Sequence, residues 1–179
     1  MKPLNLNQKL ALASIRHPKH TEKLKSDSNP LVVRTVASNS PEHHNYIYNR
    51  PDIKDKSMKW VRFDLAEHGN EEIKNHILHN DTDSDVINSL ACRANDKFKH
   101  KMLDTPRLYH KKYELARYNI ARLGNDSHRD RLIDDKGSLV RQYVANRGNE
   151  NHARKLLNDP NLDVRKVAKR RLKELGVKN

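Results

Sequence analysis

Apolar residues recur along the chain at fixed distances from an aspartate. Leu156 lies three residues before Asp159, and Val164 and Ala168 follow that aspartate by five and nine residues. The same offsets hold around three further aspartates, with Leu24, Val32 and Val36 around Asp27, Leu78, Val86 and Leu90 around Asp81, and Leu132, Val140 and Val144 around Asp135. Agreement at several offsets indicates an internal repeat.

The repeat has a basic period of 24 residues. Its alanines stand at positions 13, 37, 66, 91, 121 and 145, at spacings of 24, 29, 25, 30 and 24 residues, so two units contain insertions. We therefore predict a half-unit at 4–17 followed by six repeats, at 18–40, 41–69, 70–94, 95–124, 125–148 and 149–176.

Each repeat is predicted to contain two short helices. Val140 and Val144 are four residues apart and therefore share one face of a helix, and the intervening segments show the same spacing. Gly148 and Asn149 then suit a left-handed glycine that ends one helix and an asparagine that caps the next. Equivalent pairs are Gly69-Asn70, Ala94-Asn95 and Gly124-Asn125.

Stacking of these helix pairs is the expected source of stability. A pair of this size cannot bury both of its helices alone, so we predict that successive pairs form an α-solenoid of about six repeats. The 179 residues are interpreted as one all-α domain. Because the repeats add along one axis instead of closing on themselves, we expect a monomer.

The repeat resembles a known family. Residues 140–149, with the sequence VRQYVANRGN, and residues 156–165 resemble the leucine-rich repeat variant, a relative of the HEAT-like repeats. The resemblance covers nearly the whole chain and is closest over 126–169 and 24–41. It implies a right-handed superhelix of alternating α- and 3₁₀-type helices. Family members with an iron–sulfur module need several cysteines, whereas this sequence has only Cys92, so no cofactor is expected.

Composition favours a thin, layered protein. Charged residues make up 33% of the chain and aromatic residues 5%, which suits small apolar residues meeting across short helices. The single cysteine excludes an intramolecular disulfide and a cysteine-rich zinc site. No stretch has the apolar length of a signal peptide or a membrane span. We therefore expect a soluble cytoplasmic protein.

Positive charge is concentrated in the C-terminal half. The formal net charge is +13; residues 1–105 hold 17 Lys and Arg against 14 Asp and Glu, whereas residues 106–179 hold 19 against 9. This imbalance predicts that the C-terminal half attracts a polyanion.

One row of arginines recurs at a fixed repeat position. It comprises Arg62, Arg117, Arg141 and Arg165, with Arg34 displaced by one position. In one interpretation the row is a structural ladder, in which Asp135 pairs with Arg141 and Asp159 with Arg165. In the other interpretation the row binds a ligand.

The last helix carries the densest positive charge. Its predicted apolar stripe consists of Val164, Val167, Ala168, Leu172 and Leu175, which leaves the cations on the other side. The residues that we predict to bind a nucleic acid or an acidic partner are Arg141, Arg147, Arg165, Lys166, Lys169, Arg170 and Lys173. The alternative is that this helix is only a polar cap that keeps the end of the stack soluble.

Neither a metal site nor a catalytic site is predicted. The histidines lack a supporting cysteine pair or a metalloprotease motif, and His20, His128 and His152 recur at one repeat offset, as packing residues would. Gly-rich phosphate loops and nucleophile motifs are absent from the sequence. An enzymatic alternative is a helical-repeat DNA glycosylase that uses Trp60 with Tyr118 or Tyr143.

Two binding functions therefore remain open. In the first, the basic C-terminal repeats contact the phosphates of DNA or RNA. In the second, the protein is an adaptor or inhibitor that grips an acidic protein on a concave face. A sequence pI near 9.9 favours the nucleic acid.

Overall fold

The computed structural model describes residues 3–177, which form thirteen α-helices and no β-strand. The helices are α1 (Leu6–Ser14), α2 (Pro18–Leu24), α3 (Pro30–Asn39), α4 (His44–Tyr48), α5 (Lys59–His68), α6 (Glu71–Asn80), α7 (Ser84–Arg93), α8 (Asp96–Asp104), α9 (Glu114–Leu123), α10 (Asp126–Leu132), α11 (Ser138–Arg147), α12 (Glu150–Leu156) and α13 (Leu162–Glu174). The predicted all-α class is confirmed for these residues.

After α1, each predicted interval from 18–40 to 149–176 holds two consecutive helices. The two insertions fold as 3₁₀ turns, one over Lys56–Met58 and the other over Pro106–Tyr109 and Lys111–Tyr113. The resemblance implies 3₁₀-type helices at alternate positions, whereas α2, α6, α8, α10 and α12 are α-helices.

Helices pack against their neighbours in sequence within two compact units, of which the first ends at Leu90 and the second begins at Ala91. In the first unit, α1, α3 and α5 lie side by side in that order, and α2, α4 and α6 pack against the helices next to them in the chain. The repeat positions Val32, Val36, Val61 and Leu65 are fully buried in this core.

In the second unit, α9, α11 and α13 form one layer. Helices α10 and α12 form a second layer, and each contacts the two first-layer helices that flank it in the chain. Ala121 and Ala145 occupy one repeat position and are fully buried. The equivalent residue of α13 is Lys169, which is exposed.

Asparagines cap the N-termini of α6, α8, α10 and α12, as the sequence predicts. The side-chain oxygen of each accepts a hydrogen bond from the backbone N–H three residues later. The distances are 2.9 Å for Asn70, 2.8 Å for Asn95, 3.3 Å for Asn125 and 3.2 Å for Asn149.

The glycines before three of these caps do not take the predicted left-handed conformation. Gly69, Gly124 and Gly148 have φ values of −62°, −80° and −73°. Glycine is needed there for close approach, because a Cβ on Gly148 would lie 2.5 Å from the Val144 carbonyl oxygen and 2.6 Å from the Cβ of His152. The turn is thus tight because the next helix begins directly against it.

Within residues 3–177, no helix has the length and apolar character needed to cross a bilayer. The longest helix, α13, has 13 residues, whereas a spanning helix needs about 20.

Candidate functional site

Buried arginine–aspartate pairs recur in both units. In the second unit, Arg117 Nε and Nη2 donate to the two carboxylate oxygens of Asp135 at 2.7 and 3.1 Å. Arg117 Nη1 donates to the carbonyl oxygens of Leu108 and His110 at 2.6 and 3.2 Å. Since the side chains of Arg117 and Asp135 are 1% and 0% exposed, this bidentate pair braces the turn against the helix.

The same arrangement occurs one repeat later, and it corrects the predicted partners. Arg141 Nε and Nη2 donate to the Asp159 carboxylate at 2.6 and 3.0 Å, and Arg141 Nη1 donates to the Asp135 carbonyl oxygen at 2.6 Å. Within residues 3–177, Arg165 donates to the carbonyl oxygens of Asp159 and Pro160 and to no carboxylate. Each aspartate thus directs its carboxylate to the preceding repeat and its carbonyl to its own repeat, so the predicted carboxylate pairs were displaced by one repeat.

The Arg141–Asp159 contact fixes both groups in their charged forms. Hydrogen bonds from Arg141 hold the pKa of Asp159 below its ordinary value, and the bond to Asp159 raises the pKa of Arg141. Arg141 is therefore engaged with the protein at neutral pH, which makes it a structural residue in this arrangement.

The first unit contains two related pairs. Arg62 Nε donates to Asp81 at 2.7 Å, and Arg62 Nη1 donates to the carbonyl oxygen of Ile53 at 2.7 Å. The displaced Arg34 donates to Asp64 at 2.9 Å. The predicted ladder interpretation is thus supported by contacts in both units.

An open groove lies along the outer side of α13. The cations that line it are Lys166, Lys169, Arg170 and Lys173, and Gly176 and Val177 close one end. We refer to these four cations as the cationic groove. All four side chains are exposed, and within residues 3–177 Lys169 and Lys173 form no ion pair.

Acidic neighbours neutralise this groove only weakly. Lys166 Nζ lies 3.7 Å from Asp163, and Arg170 Nε lies 3.4 Å from Glu174, with all four side chains largely exposed. Exposed pairs of this kind contribute about 0–1 kcal/mol and exchange readily with other anions. The groove therefore keeps a net positive charge that a phosphate can approach.

A glycine turn shapes the end of the groove. Gly176 has a φ of 72°, and its N–H donates to the Lys173 carbonyl oxygen at 3.1 Å while Val177 N–H donates to that of Leu172 at 3.0 Å. This is a left-handed glycine stop. It turns the chain beyond Leu175, which is 39% exposed and does not continue the predicted apolar stripe. The predicted buried residues Val164, Ala168 and Leu172 are confirmed, and Val167 is half-buried.

The predicted binding residues thus fall into three places. Lys166, Lys169, Arg170 and Lys173 meet in the cationic groove. Arg141 and Arg165 belong to the ladder. Arg147 is exposed at the last residue of α11.

No protein-family model, curated protein or solved structure matches this chain. The geometry of the site therefore carries the functional interpretation.

Two tyrosines that the sequence suggested only singly form a pair in the second unit. The rings of Tyr118 on α9 and Tyr143 on α11 have centroids 4.4 Å apart and planes at 60°. The hydrogen bond to Tyr143 raises the pKa of Tyr118. Their separation of 25 residues, close to the repeat period, was the signal in the sequence. Trp60 belongs to the first unit, where it is 51% exposed and its ring lies 5.5 Å from that of Phe63.

His128 and His152 are packing residues, as predicted, and they also take part in helix caps, which the sequence analysis did not predict. His128 and His152 are buried, and each accepts a hydrogen bond at Nδ1 from the N–H of its cap, Asn125 or Asn149, at 3.1 Å. His20 is half-buried. Among residues 3–177, no group of three or more His, Cys, Asp or Glu side chains is placed to hold a metal ion.

Proposed function

We propose that this protein is a non-enzymatic nucleic-acid-binding module whose cationic groove contacts phosphates. The observation that carries the proposal is the convergence of Lys166, Lys169, Arg170 and Lys173 on one groove of α13. Arg117 and Arg141 are held by aspartates and backbone carbonyls, whereas these four side chains are exposed to solvent. Their charge is thus available to an external anion.

Energetics favour a polyanion with closely spaced charges. A single anion would gain little from exposed lysines in water. A nucleic acid gains with every phosphate contacted, because each contact releases condensed counterions. The excess of Lys and Arg in residues 106–179 would also speed the encounter with such a partner. We include Arg147 as a peripheral phosphate contact and assign Arg141 and Arg165 to the ladder.

We also propose that the helix pairs stack as an α-solenoid of about six repeats, related to the leucine-rich repeat variant and other HEAT-like repeats. The asparagine caps and the arginine–aspartate pairs each recur at equivalent positions of different repeats. This recurrence supports the proposal. We also propose that the protein is monomeric, because stacked repeats add along one axis. We propose a cytoplasmic location because its single cysteine, Cys92, cannot form an intramolecular disulfide.

Charge reversal tests the groove. The triple variant Lys166→Glu, Lys169→Glu and Lys173→Glu should melt at nearly the parent temperature, because the three side chains are exposed and the buried stripe is unchanged. Its affinity for DNA or RNA should fall. The slope of log affinity against log salt should flatten by roughly 0.7–0.9 for each phosphate that the variant no longer binds. Fluorescence anisotropy with labelled oligonucleotides measures both quantities.

A matched control separates local contacts from net charge. Lys19→Glu, Lys23→Glu and Lys56→Glu change the formal charge equally, and all three side chains are exposed in the first unit. This control should retain more affinity and a steeper salt slope than the groove variant. Equal losses in the two triple variants would show that the groove has no special role.

An acidic protein is the second candidate partner, because Leu115 and Leu139 are 53% and 55% exposed and could contact apolar side chains. Competition with polyglutamate distinguishes the two partners. Nucleic acid should bind more tightly than polyglutamate of equal charge; the reverse order would favour the acidic protein.

A further inference from the structure

We infer that the nucleic acid is single-stranded and that its bases stack on Tyr118 and Tyr143, an inference that rests on the proposed nucleic-acid function. Both side chains are half-buried. Each ring therefore packs against the protein on one part of its surface and is accessible to a ligand on another. They lie in the second unit, on the same first layer of helices as α13.

Residues one repeat apart align across this layer. Arg170 Nη2 donates to the side-chain oxygen of Asn146, 24 residues earlier, at 3.1 Å. The Tyr118–Tyr143 contact likewise joins neighbouring helices. The exposed surface therefore contains rows of residues that cross from α9 to α11, and one of them continues to α13.

Three rows with different chemistry succeed one another along the helices. The first contains Leu115 and Leu139, both more than half exposed. The second contains the two tyrosines. The third contains Arg122, Asn146 and Arg170, and Arg122 is exposed. We call this surface of leucine, tyrosine and arginine rows the tyrosine face.

This order matches the two sides of an unpaired strand. A single strand presents bases on one side and phosphates on the other, so bases can contact the leucine and tyrosine rows while phosphates lie along the arginine row. Arg170 belongs both to this row and to the cationic groove, so one strand can pass continuously from the groove to the tyrosine face.

A duplex cannot use the tyrosines in this way. Its base faces are covered by stacking within the helix, and its phosphates alone would contact the cations. The tyrosine pair therefore predicts a preference for single strands over duplexes, whereas the groove alone predicts none.

The test compares single-stranded and duplex DNA of about 12 nucleotides with the full chain. Removing both rings in the Tyr118→Leu, Tyr143→Leu variant should weaken single-strand binding roughly tenfold or more. Duplex binding should change little. The salt slope should stay at the parent value, because ring contacts release no counterions.

Two controls exclude trivial causes. Tyr46→Leu removes a tyrosine that is 46% exposed in the first unit and should not alter binding. Tyr118→Phe, Tyr143→Phe keeps both rings and loses only the hydroxyl groups, so it should bind single strands like the parent. If the leucine variant fails to fold, nitration of the parent by tetranitromethane gives the same answer, since bound single strand should protect Tyr118 and Tyr143 but not Tyr46.

Failure of this inference differs from failure of the proposed function. A parent that binds neither single strands nor duplex at low salt overturns both. A parent that binds both forms, with single-strand affinity unchanged in the leucine variant or with the two tyrosines nitrated equally in the free and bound states, overturns only the stacking inference. Equal losses of single-strand and duplex binding in a folded leucine variant also overturn it, since the rings would then act only by holding the helices.

Discussion

At the residue scale, His128 secures the start of α10 with both ring nitrogens. Asn125 N–H donates to Nδ1, and Nε2–H donates to the Asp96 carbonyl oxygen at 3.1 Å. This pattern requires the neutral ring. Burial lowers the pKa of His128 below its ordinary value, and burial acts in the same direction on His44, whose Nε2–H donates to Ala37.

The protein should therefore lose stability as the pH falls below about 6.5, the ordinary histidine value. In that range the unfolded chain takes up protons at His44 and His128 that the folded chain does not, so the free energy of unfolding decreases with decreasing pH. Urea unfolding between about pH 7.5 and pH 5.5 measures the effect.

His128→Gln should remove part of this pH dependence. A glutamine at this position can complete the capping box and does not titrate. His79→Gln, which replaces an exposed histidine, is the control substitution and is measured in parallel. An identical fall of stability in the parent and in His128→Gln would contradict the assigned role of His128.

Local chemistry explains which residue-scale features the sequence could predict. The cap at Asn149 depends on atoms three residues apart, so sequence spacing was sufficient. The conformation of Gly148 was not predictable in this way. Its need for glycine comes from the approach of His152 on the following helix, which depends on the angle at which the two helices meet.

At the scale of elements, the arginine–aspartate pairs link a helix of one repeat to the turn of the following repeat. Arg117→Met should lower the free energy of unfolding by about 3–5 kcal/mol, because Asp135 would remain charged and buried without its partner. Arg117→Met with Asp135→Asn should lose less than Arg117→Met alone. Urea titrations give the three values.

An exposed pair provides the comparison. Arg131 Nη2 lies 2.7 Å from Asp104, but the two side chains are 33% and 67% exposed. Arg131→Met should cost less than about 1 kcal/mol. If Arg117→Met and Arg131→Met lowered the free energy of unfolding by similar amounts, burial would not be the reason that the ladder pairs stabilise the protein.

Packing between first-layer helices makes a second element-scale prediction. Ala145 is fully buried, so Ala145→Asp should destabilise the second unit by several kcal/mol. Asn146→Asp should stay within about 0.5 kcal/mol of the parent. The sequence predicts Asn146 to be exposed, whereas its side chain is half-buried in the structure. Its side-chain oxygen accepts a hydrogen bond from Arg170, and an aspartate carboxylate could accept the same bond. Equal melting temperatures for Ala145→Asp and Asn146→Asp would show that Ala145 does not lie on the packing face of α11.

The sequence predicted the helices better than their connections. Apolar spacing within ten residues was sufficient to locate α11 and its buried Val140 and Val144. The partner of Arg141 was not accessible in the same way, because Asp159 is 18 residues away and the choice between two aspartates depends on how the intervening turn folds. Leu175 was misplaced because the glycine stop at Gly176 lies beyond the helical periodicity.

At the scale of the whole molecule, the charge asymmetry of the sequence coincides with the region that we propose for binding. The excess of Lys and Arg over residues 106–179 includes the cationic groove. Charge counting could not separate the groove from the ladder, since arginines serve in both. Nor could it pair Tyr118 with Tyr143, because ring contact between repeats depends on the packing of α9 against α11.

The most direct test of nucleic-acid binding is a titration of the unmodified chain with single-stranded and duplex oligonucleotides across about 50–200 mM salt. We predict binding at low salt with a log affinity that falls linearly with log salt, by roughly 0.7–0.9 per phosphate contact. Three or four groove contacts would then give a slope of about −2 to −4. No binding at the lowest salt, or an affinity that does not change with salt, would contradict the proposal.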